Sequence, residues 1–127
     1  MKIELDSQNP NQYRIDSYDT GSIAVSGNMY RTSIIVSPDS IIDNWPPRVF
    51  ADLSAEHFDP VLRLKPEIVL LGTGERNRFP PDEIIAPLLS QYIGLEVMDT
   101  GAACRSYNFL VAEGRRVVAA LLMIGNE

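Results

Sequence analysis

The sequence predicts an α/β fold: a three-layer domain with a central, mainly parallel sheet, two helices on one face and an N-terminal antiparallel β-meander on the other. The run Glu67 to Leu71 is short, apolar and rich in branched side chains, which is typical of a strand buried on both faces. The turn Gly72-Thr73-Gly74 and a helix start follow it, and this order of strand, glycine turn and helix recurs from Leu95 onwards. Before residue 37, apolar and polar side chains alternate instead, as they do in antiparallel strands with one buried face.

The N-terminal strands are predicted from a hairpin signal. Ile23 to Val25 and Met29 to Val36 have strand composition, and Gly27-Asn28 separates them. We interpret Gly27-Asn28 as a two-residue hairpin turn, which sets Val25 opposite Tyr30. One face of the meander is then aromatic and branched, so we expect it to face the core.

An irregular segment joins the meander to the parallel part. Asp43 to Pro47 contains two prolines, which fix φ and remove backbone donors. The single Trp45 lies on this segment, and we expect it to cover an edge of the core; the alternative is ligand stacking. Ser54 is a suitable N-cap for a short helix that carries His57, the only histidine of the chain.

The C-terminal half predicts two strand–helix–strand crossovers. Pro80-Pro81 suits a helix start, and Leu95 to Met98 is the next strand, closed by Asp99-Thr100-Gly101. A second helix runs to Gly114, a favourable residue for a helix end. Val117 to Ile124 is the last strand. Because such crossovers are right-handed, we expect both helices to cover one face of the sheet.

Length and composition limit the classes of function. The 127 residues predict one domain, residues 1–127, with a single cysteine that has no disulfide partner in the chain, which fits a reducing compartment. No signal-peptide pattern and no apolar run of about 20 residues is present, so we expect a cytoplasmic protein without a membrane span. The net charge of −6, from 17 acidic and 11 basic residues, argues against nucleic-acid binding.

The two glycine turns give the candidate binding site. Ligands of open α/β sheets collect at the carboxyl ends of the strands, and the start of the second helix presents unpaired amides that favour anions. We therefore predict a pocket for a small anionic ligand, formed by Gly72, Thr73, Gly74, Arg76, Thr100, Gly101, Cys104 and Arg105. The alternative, which we favour, is that the glycines only make tight turns and the arginines cap carbonyls.

The chain offers little material for catalysis. Cys104 lies at a helix start beside Arg105, which would acidify a reactive thiol, but a free cysteine is more often a buried packing residue. A Cys104–His57 dyad has no support from the spacing. One His and one Cys make no metal-ligand cluster, and the scattered carboxylates form no obvious pair. We expect no catalytic residue, no metal, no cofactor and, on balance, no enzyme activity. Asn108 is interpreted as a residue of the helix surface.

Two stretches carry a resemblance to a known family, the run Val69 to Gly74 and the run Met98 to Leu110 (MDTGAACRSYNFL). They resemble the uncharacterised bacterial and archaeal domain family that includes mitochondrial complex I assembly factor three and the adipogenesis-associated relative. The family often has Thr where this chain has Ser106. The resemblance covers most of the chain and implies a three-layer α/β domain of bacterial type without an established enzyme activity. It also implies a protein partner, because the eukaryotic relative acts as an assembly partner without a cofactor.

Two functions follow as expectations. The first is a non-catalytic interaction or assembly protein, whose contact surface would be an aromatic patch around Trp45, Phe50 and Phe79. The alternative is a protein or enzyme that binds a small anionic ligand at the two glycine turns.

Overall fold

The computed structural model describes residues 11–125. The strands are β1 (Ile15–Asp19), β2 (Ser22–Val25), β3 (Asn28–Tyr30), β4 (Ile34–Val36), β5 (Ile41–Ile42), β6 (Ile68–Gly72), β7 (Gly94–Met98) and β8 (Val117–Leu121). The α-helices are α1 (Asp59–Arg63), α2 (Asp82–Leu89) and α3 (Thr100–Ala112), and two 3-10 helices cover Phe50–Asp52 and Ala55–Phe58.

The strands form two sheets. The first three strands make an antiparallel sheet in the order β1-β2-β3, and the other five make a mixed sheet in the order β5-β4-β8-β6-β7. In the mixed sheet β6 is parallel to both β7 and β8, whereas β4 is antiparallel to β8 and β5. The predicted α/β class, with an N-terminal antiparallel sheet and a sheet of mostly parallel middle strands, is confirmed.

The two long helices lie on opposite faces of the mixed sheet, so the prediction of both helices on one face is wrong. From β6 the chain first goes to β7, its neighbour on the edge side of the sheet. It then goes back past β6 to β8, the neighbour on the opposite side. Because crossovers of this kind are right-handed, a change of direction moves the helix to the other face. Helix α3 therefore shares its face with the three-stranded sheet, and α2 lies on the other face with the irregular segment around Trp45.

The mixed sheet separates two apolar cores. Leu70 of β6 faces the core that contains Ile23 and Tyr107, whereas its neighbours Val69 and Leu71 face the other core. All five residues of β8 are buried, since this strand has neighbours on both sides and is covered on both faces. Successive side chains of β6 therefore alternate between the core beneath α3 and the core beneath α2.

The hairpin between β2 and β3 turns one residue earlier than predicted. Ser26 and Gly27 form the turn with φ values of 46° and 87°, so that Val25 pairs with Asn28 and Ile23 pairs with Tyr30. Positive φ at both central positions is what a type I′ hairpin turn requires. Glycine takes the second of these positions, which the sequence interpretation had assigned to Asn28.

Trp45 belongs to the core rather than to the surface. Only 2% of its area is exposed, and its indole Nε1–H donates to the His57 carbonyl oxygen at 2.9 Å. Its ring meets the Phe58 ring edge-on, with centroids 5.9 Å apart. The expectation that Trp45 covers the core is confirmed, and its expected place in a surface interaction patch is wrong.

Candidate functional site

The two glycine turns meet at one rim of the mixed sheet. The ends of β6 and β7 lie side by side, with Gly72 paired to Met98. The amide of Thr73 donates to the Met98 carbonyl at 2.9 Å, and the amide of Thr100 donates to the Gly74 carbonyl at 2.9 Å. The prediction that both turns open onto a shared edge at the carboxyl ends of parallel strands is confirmed.

Two buried threonine hydroxyls form hydrogen bonds with backbone groups at this rim. Thr100 Oγ1 donates to the Leu122 carbonyl at 2.7 Å and accepts from the Gly74 amide at 2.8 Å. Thr73 Oγ1 donates to the Arg76 carbonyl at 2.6 Å. A Cβ added to Gly72 would lie 3.0 Å from the Thr100 Cα, so this glycine allows the start of α3 to pack on β6. Both hydroxyls are therefore already hydrogen-bonded to backbone groups of the protein.

The amino-terminal end of α3 carries its own carboxylate. Asp99 is the N-cap, and its side chain accepts from the Ala102 amide at 2.9 Å. An acidic N-cap satisfies a free amide and complements the positive end of the helix. It therefore occupies the position that the sequence analysis assigned to an external anion.

Three other predicted binding residues differ in their surroundings, since Gly101 and Arg105 lie against Tyr18 and Arg76 lies in the rim loop after β6. Gly101 lies under Tyr18, since an added Cβ would come within 2.9 Å of its ring. Arg76 is exposed in the loop after β6. Arg105 is exposed on α3, where its guanidinium donates to the Tyr18 hydroxyl and lies 5.9 Å from the centre of that ring. The eight residues remain a prediction as a ligand-binding set.

Cys104 and His57 lie on opposite sides of the mixed sheet. The Cys104 thiol is fully buried in the core beneath α3. His57 contacts Trp45 in the core on the other face, and its Nδ1 accepts from the Ser54 amide at 3.0 Å. A dyad between them is thus ruled out by the topology. Across residues 11–125, no group of three or more His, Cys, Asp or Glu is placed to hold a metal ion.

Burial makes the Cys104 thiol unreactive. Desolvation raises its pKa to about 12, and this effect outweighs the neighbouring charge of Arg105, which lowers it. The thiolate is the nucleophilic form of cysteine, and at neutral pH it is absent from this site. Cys104 is therefore a packing residue of the core.

We expect the native protein to react with iodoacetamide at pH 8 at least 100-fold more slowly than the same protein in urea. Since a shielded thiol is exposed only by unfolding, the rate should rise with denaturant in parallel with the loss of circular dichroism. The unfolded protein is the internal control, because it contains the same single cysteine. Native alkylation at the rate of a free thiol would contradict the buried assignment.

Asn108 connects α3 to the three-stranded sheet, so its interpretation as a helix-surface residue is wrong. Its side-chain Nδ2 donates to the Ile15 carbonyl at 2.7 Å, and its Oδ1 accepts from the Ile15 amide at 2.8 Å. The Tyr107 hydroxyl donates to the Tyr13 carbonyl at 2.8 Å beside it. Asn108 follows Cys104 by four residues and precedes Val111 by three, and this spacing already places it on the buried stripe of the helix.

An open groove lies elsewhere, between α3 and the edge strand β7. This groove has a volume of about 360 Å³. Leu70 and Glu96 form its floor, and Arg105, Ser106, Phe109 and Leu110 of α3 form its wall. Phe109 is 55% exposed there. Local sequence patterns do not predict this groove, because the position of β7 at the edge depends on the strand order.

Within residues 11–125, no helix combines the length and the apolar character needed to cross a bilayer.

Comparison with known proteins gives a consistent family. Residues 15–122 match the family described as protein of unknown function (DUF498/DUF598). NADH dehydrogenase [ubiquinone] 1 alpha subcomplex assembly factor 3 of Bos taurus is 33% identical over 120 residues, which are 93% of this chain and 65% of the relative. The chain thus spans a little under two-thirds of that relative's length.

Solved structures show the same fold. A crystal structure of a Bordetella parapertussis protein is 39% identical, with a TM-score of 0.83 over 88% of this chain and 96% of that one. A solution structure of a Bordetella pertussis protein described as a Mth938-like domain is 32% identical, with a TM-score of 0.82 over 100% of this chain and 95% of that one.

Proposed function

We propose that this chain, which belongs to the family of proteins of unknown function DUF498/DUF598, is a non-catalytic interaction protein that takes part in the assembly of a larger complex. The observation that carries the proposal is the state of the rim at the carboxyl ends of β6 and β7. Small ligands of α/β sheets bind in such a position, but here the hydroxyls of Thr73 and Thr100 are buried and bonded to backbone carbonyls.

The distribution of reactive groups supports a role without chemistry. Cys104 is buried as a thiol, and His57 lies across the sheet from it. In contrast, several large apolar side chains are exposed, including Phe79 at 66% and Phe109 at 55%. Phe109 borders the groove between α3 and β7, and an apolar side chain exposed in a groove suits the binding of another protein.

The relatives support the same role. The bovine relative is named as an assembly factor for NADH dehydrogenase, and this chain aligns with it over 93% of its own length. We carry over the general role, binding of a protein partner during assembly of a complex. A cytoplasmic location in a bacterial cell is part of the same proposal, and cell fractionation with an antibody to the chain tests it.

The test of the proposed role is capture of partners at native abundance. The chain, tagged at its native locus, should co-purify and co-elute on gel filtration with a small set of proteins in fixed ratio. A tagged unrelated protein of similar size and charge is the control. Elution of the whole cellular pool as a free monomer, with no protein enriched over the control, would contradict an assembly role.

A second candidate is binding of a small anion at the rim, since the two glycine loops meet there and Arg76 is exposed beside them. Titration with inorganic phosphate should then shift the amide resonances of Gly74 and Thr100, and Arg76→Gln should weaken the effect at least fivefold. Unchanged amide resonances at 20 mM phosphate would eliminate this candidate.

A further inference from the structure

Among the described residues, β7 is one of the two edge strands of the mixed sheet. This strand is last in the order β5-β4-β8-β6-β7 and pairs only with β6 among the described residues. The amide of Gly94 donates to the Glu67 carbonyl, and the Met98 carbonyl accepts from Thr73. Alternate residues of a strand point their backbone groups to opposite sides, so the N–H and C=O groups of Leu95 and Val97 face outward. They form a two-residue template for an added strand.

A groove runs along this edge. Phe109 presents a half-exposed ring beside β7, and Glu96, the middle residue of the strand, is exposed on the groove floor. In the described part of the chain the Glu96 carboxylate has no hydrogen bond or ion pair. Arg105 is the other charge of the groove, and its guanidinium is already bonded to the Tyr18 hydroxyl. Because the tyrosine hydroxyl is neutral, Arg105 keeps its positive charge; Glu96 is the charged group of the groove that has no partner among the described residues, and it lies beside the exposed Phe109 ring.

The same charge disfavours a second copy of this chain as the occupant. The antiparallel register of two β7 strands that uses the outward groups of both residues in each copy bonds Leu95 of one copy to Val97 of the other. Glu96 would then oppose Glu96 as a non-hydrogen-bonded pair, with Cα atoms about 4.5 Å apart. Like charges directly opposite each other destabilise a strand pair, and charged residues on edge strands are a common protection against self-association.

We propose that β7 binds an extended segment of a different protein, which adds a strand to the sheet and places a basic side chain against Glu96 and an apolar side chain against Phe109. Backbone bonds to Leu95 and Val97 supply the attachment, and the groove selects alternate side chains, as in other cases of strand addition. This inference rests on the proposed function, because it names the surface and the kind of partner that an interaction protein of this shape would use.

The test uses two synthetic heptapeptides and the full chain labelled with ¹⁵N. Ac-TVTKTVT-amide presents valine, lysine and valine on one face, and its twin has glutamate in place of lysine. We expect the lysine peptide to shift the Leu95 and Val97 amides saturably and to bind at least fivefold more tightly than its twin. Glu96→Lys should reverse this preference, and Arg105→Gln should increase it. The proposal would be overturned if the Leu95 and Val97 amides did not shift at millimolar peptide. It would also be overturned if the affinity ratio of the two peptides were the same in the wild type and in the Glu96→Lys variant.

A proline variant separates strand addition from side-chain packing. Val97→Pro removes an outward N–H that the β6–β7 ladder does not use, and Val97→Ala is the matched control that trims the side chain but keeps the N–H. Only the proline variant should lose peptide binding, by at least tenfold, with both variants folded by circular dichroism. If Val97→Pro and Glu96→Lys capture the same cellular partners as the wild type, this surface is wrong although the interaction role stands.

Discussion

Replacing Trp45 with alanine is expected to lower the free energy of unfolding by about 3–5 kcal/mol, as is usual for removal of a large buried aromatic side chain. The indole is 2% exposed, packs edge-on against Phe58 and donates to the His57 carbonyl at 2.9 Å. Truncation leaves a cavity on the α2 side of the sheet and an unsatisfied carbonyl. Urea denaturation followed by circular dichroism measures the effect.

Trp45→Phe is the matched control for this substitution. It keeps most of the packing against Phe58 but removes the indole donor, so we expect a loss of about 1–2 kcal/mol. Because the indole is inaccessible, a partner captured from cells should bind the Trp45→Phe variant as it binds the wild type. If the Trp45→Phe variant were as stable as the wild type but no longer bound the partner, Trp45 would belong to the interaction surface and its assignment to the core would be wrong.

The second large effect is expected at Asn108, whose amide pairs with both backbone groups of Ile15. Asn108→Leu is close in size and leaves the Ile15 N–H and C=O without partners. Each buried unsatisfied group costs about 1–3 kcal/mol, so for the two groups we expect a loss of about 2–6 kcal/mol in unfolding free energy. Hydrogen exchange should show the loss of protection first in β1, which this side chain ties to α3.

Asn108→Asp separates hydrogen bonding from packing, because the side chain keeps its shape. A carboxylate still accepts from the Ile15 amide but repels the Ile15 carbonyl, whereas a protonated carboxyl donates to that carbonyl. Burial and repulsion raise the pKa of such an aspartate in the folded state above its unfolded value. Stability relative to the wild type should therefore fall as the pH rises from 4.5 to 7. A deficit independent of pH would show that the bond to the Ile15 carbonyl contributes little.

Local patterns were sufficient to predict the elements and the meeting of the two glycine turns. A strand–turn–helix unit is predicted by the apolar run before Gly72 and by the glycines after each strand. This prediction uses only neighbouring residues. Two such units in a parallel sheet end at the same edge. The shared rim of Gly72 and Met98 follows from these short-range rules.

The strand order could not be predicted from local sequence patterns. The wrong prediction that α2 and α3 cover the same face results from this missing information. Nothing near β8 in the sequence says that it inserts between β4 and β6, since that choice depends on how all strands together bury their apolar faces. The strand order determines on which face of the mixed sheet α2 and α3 lie, and it places β7 at the edge of that sheet. The groove beside Glu96 and Phe109 therefore became visible only in three dimensions.

The position of β8 has a consequence for biosynthesis. Of the strands in the described chain, the one that joins the two halves of the mixed sheet is the last to be translated. Until it leaves the ribosome, β4 and β6 have no common neighbour, and the nascent chain exposes both apolar faces that β8 will later separate. The mixed sheet therefore completes only after β8 has been made, and until then the growing chain exposes apolar surface of the kind that chaperones bind.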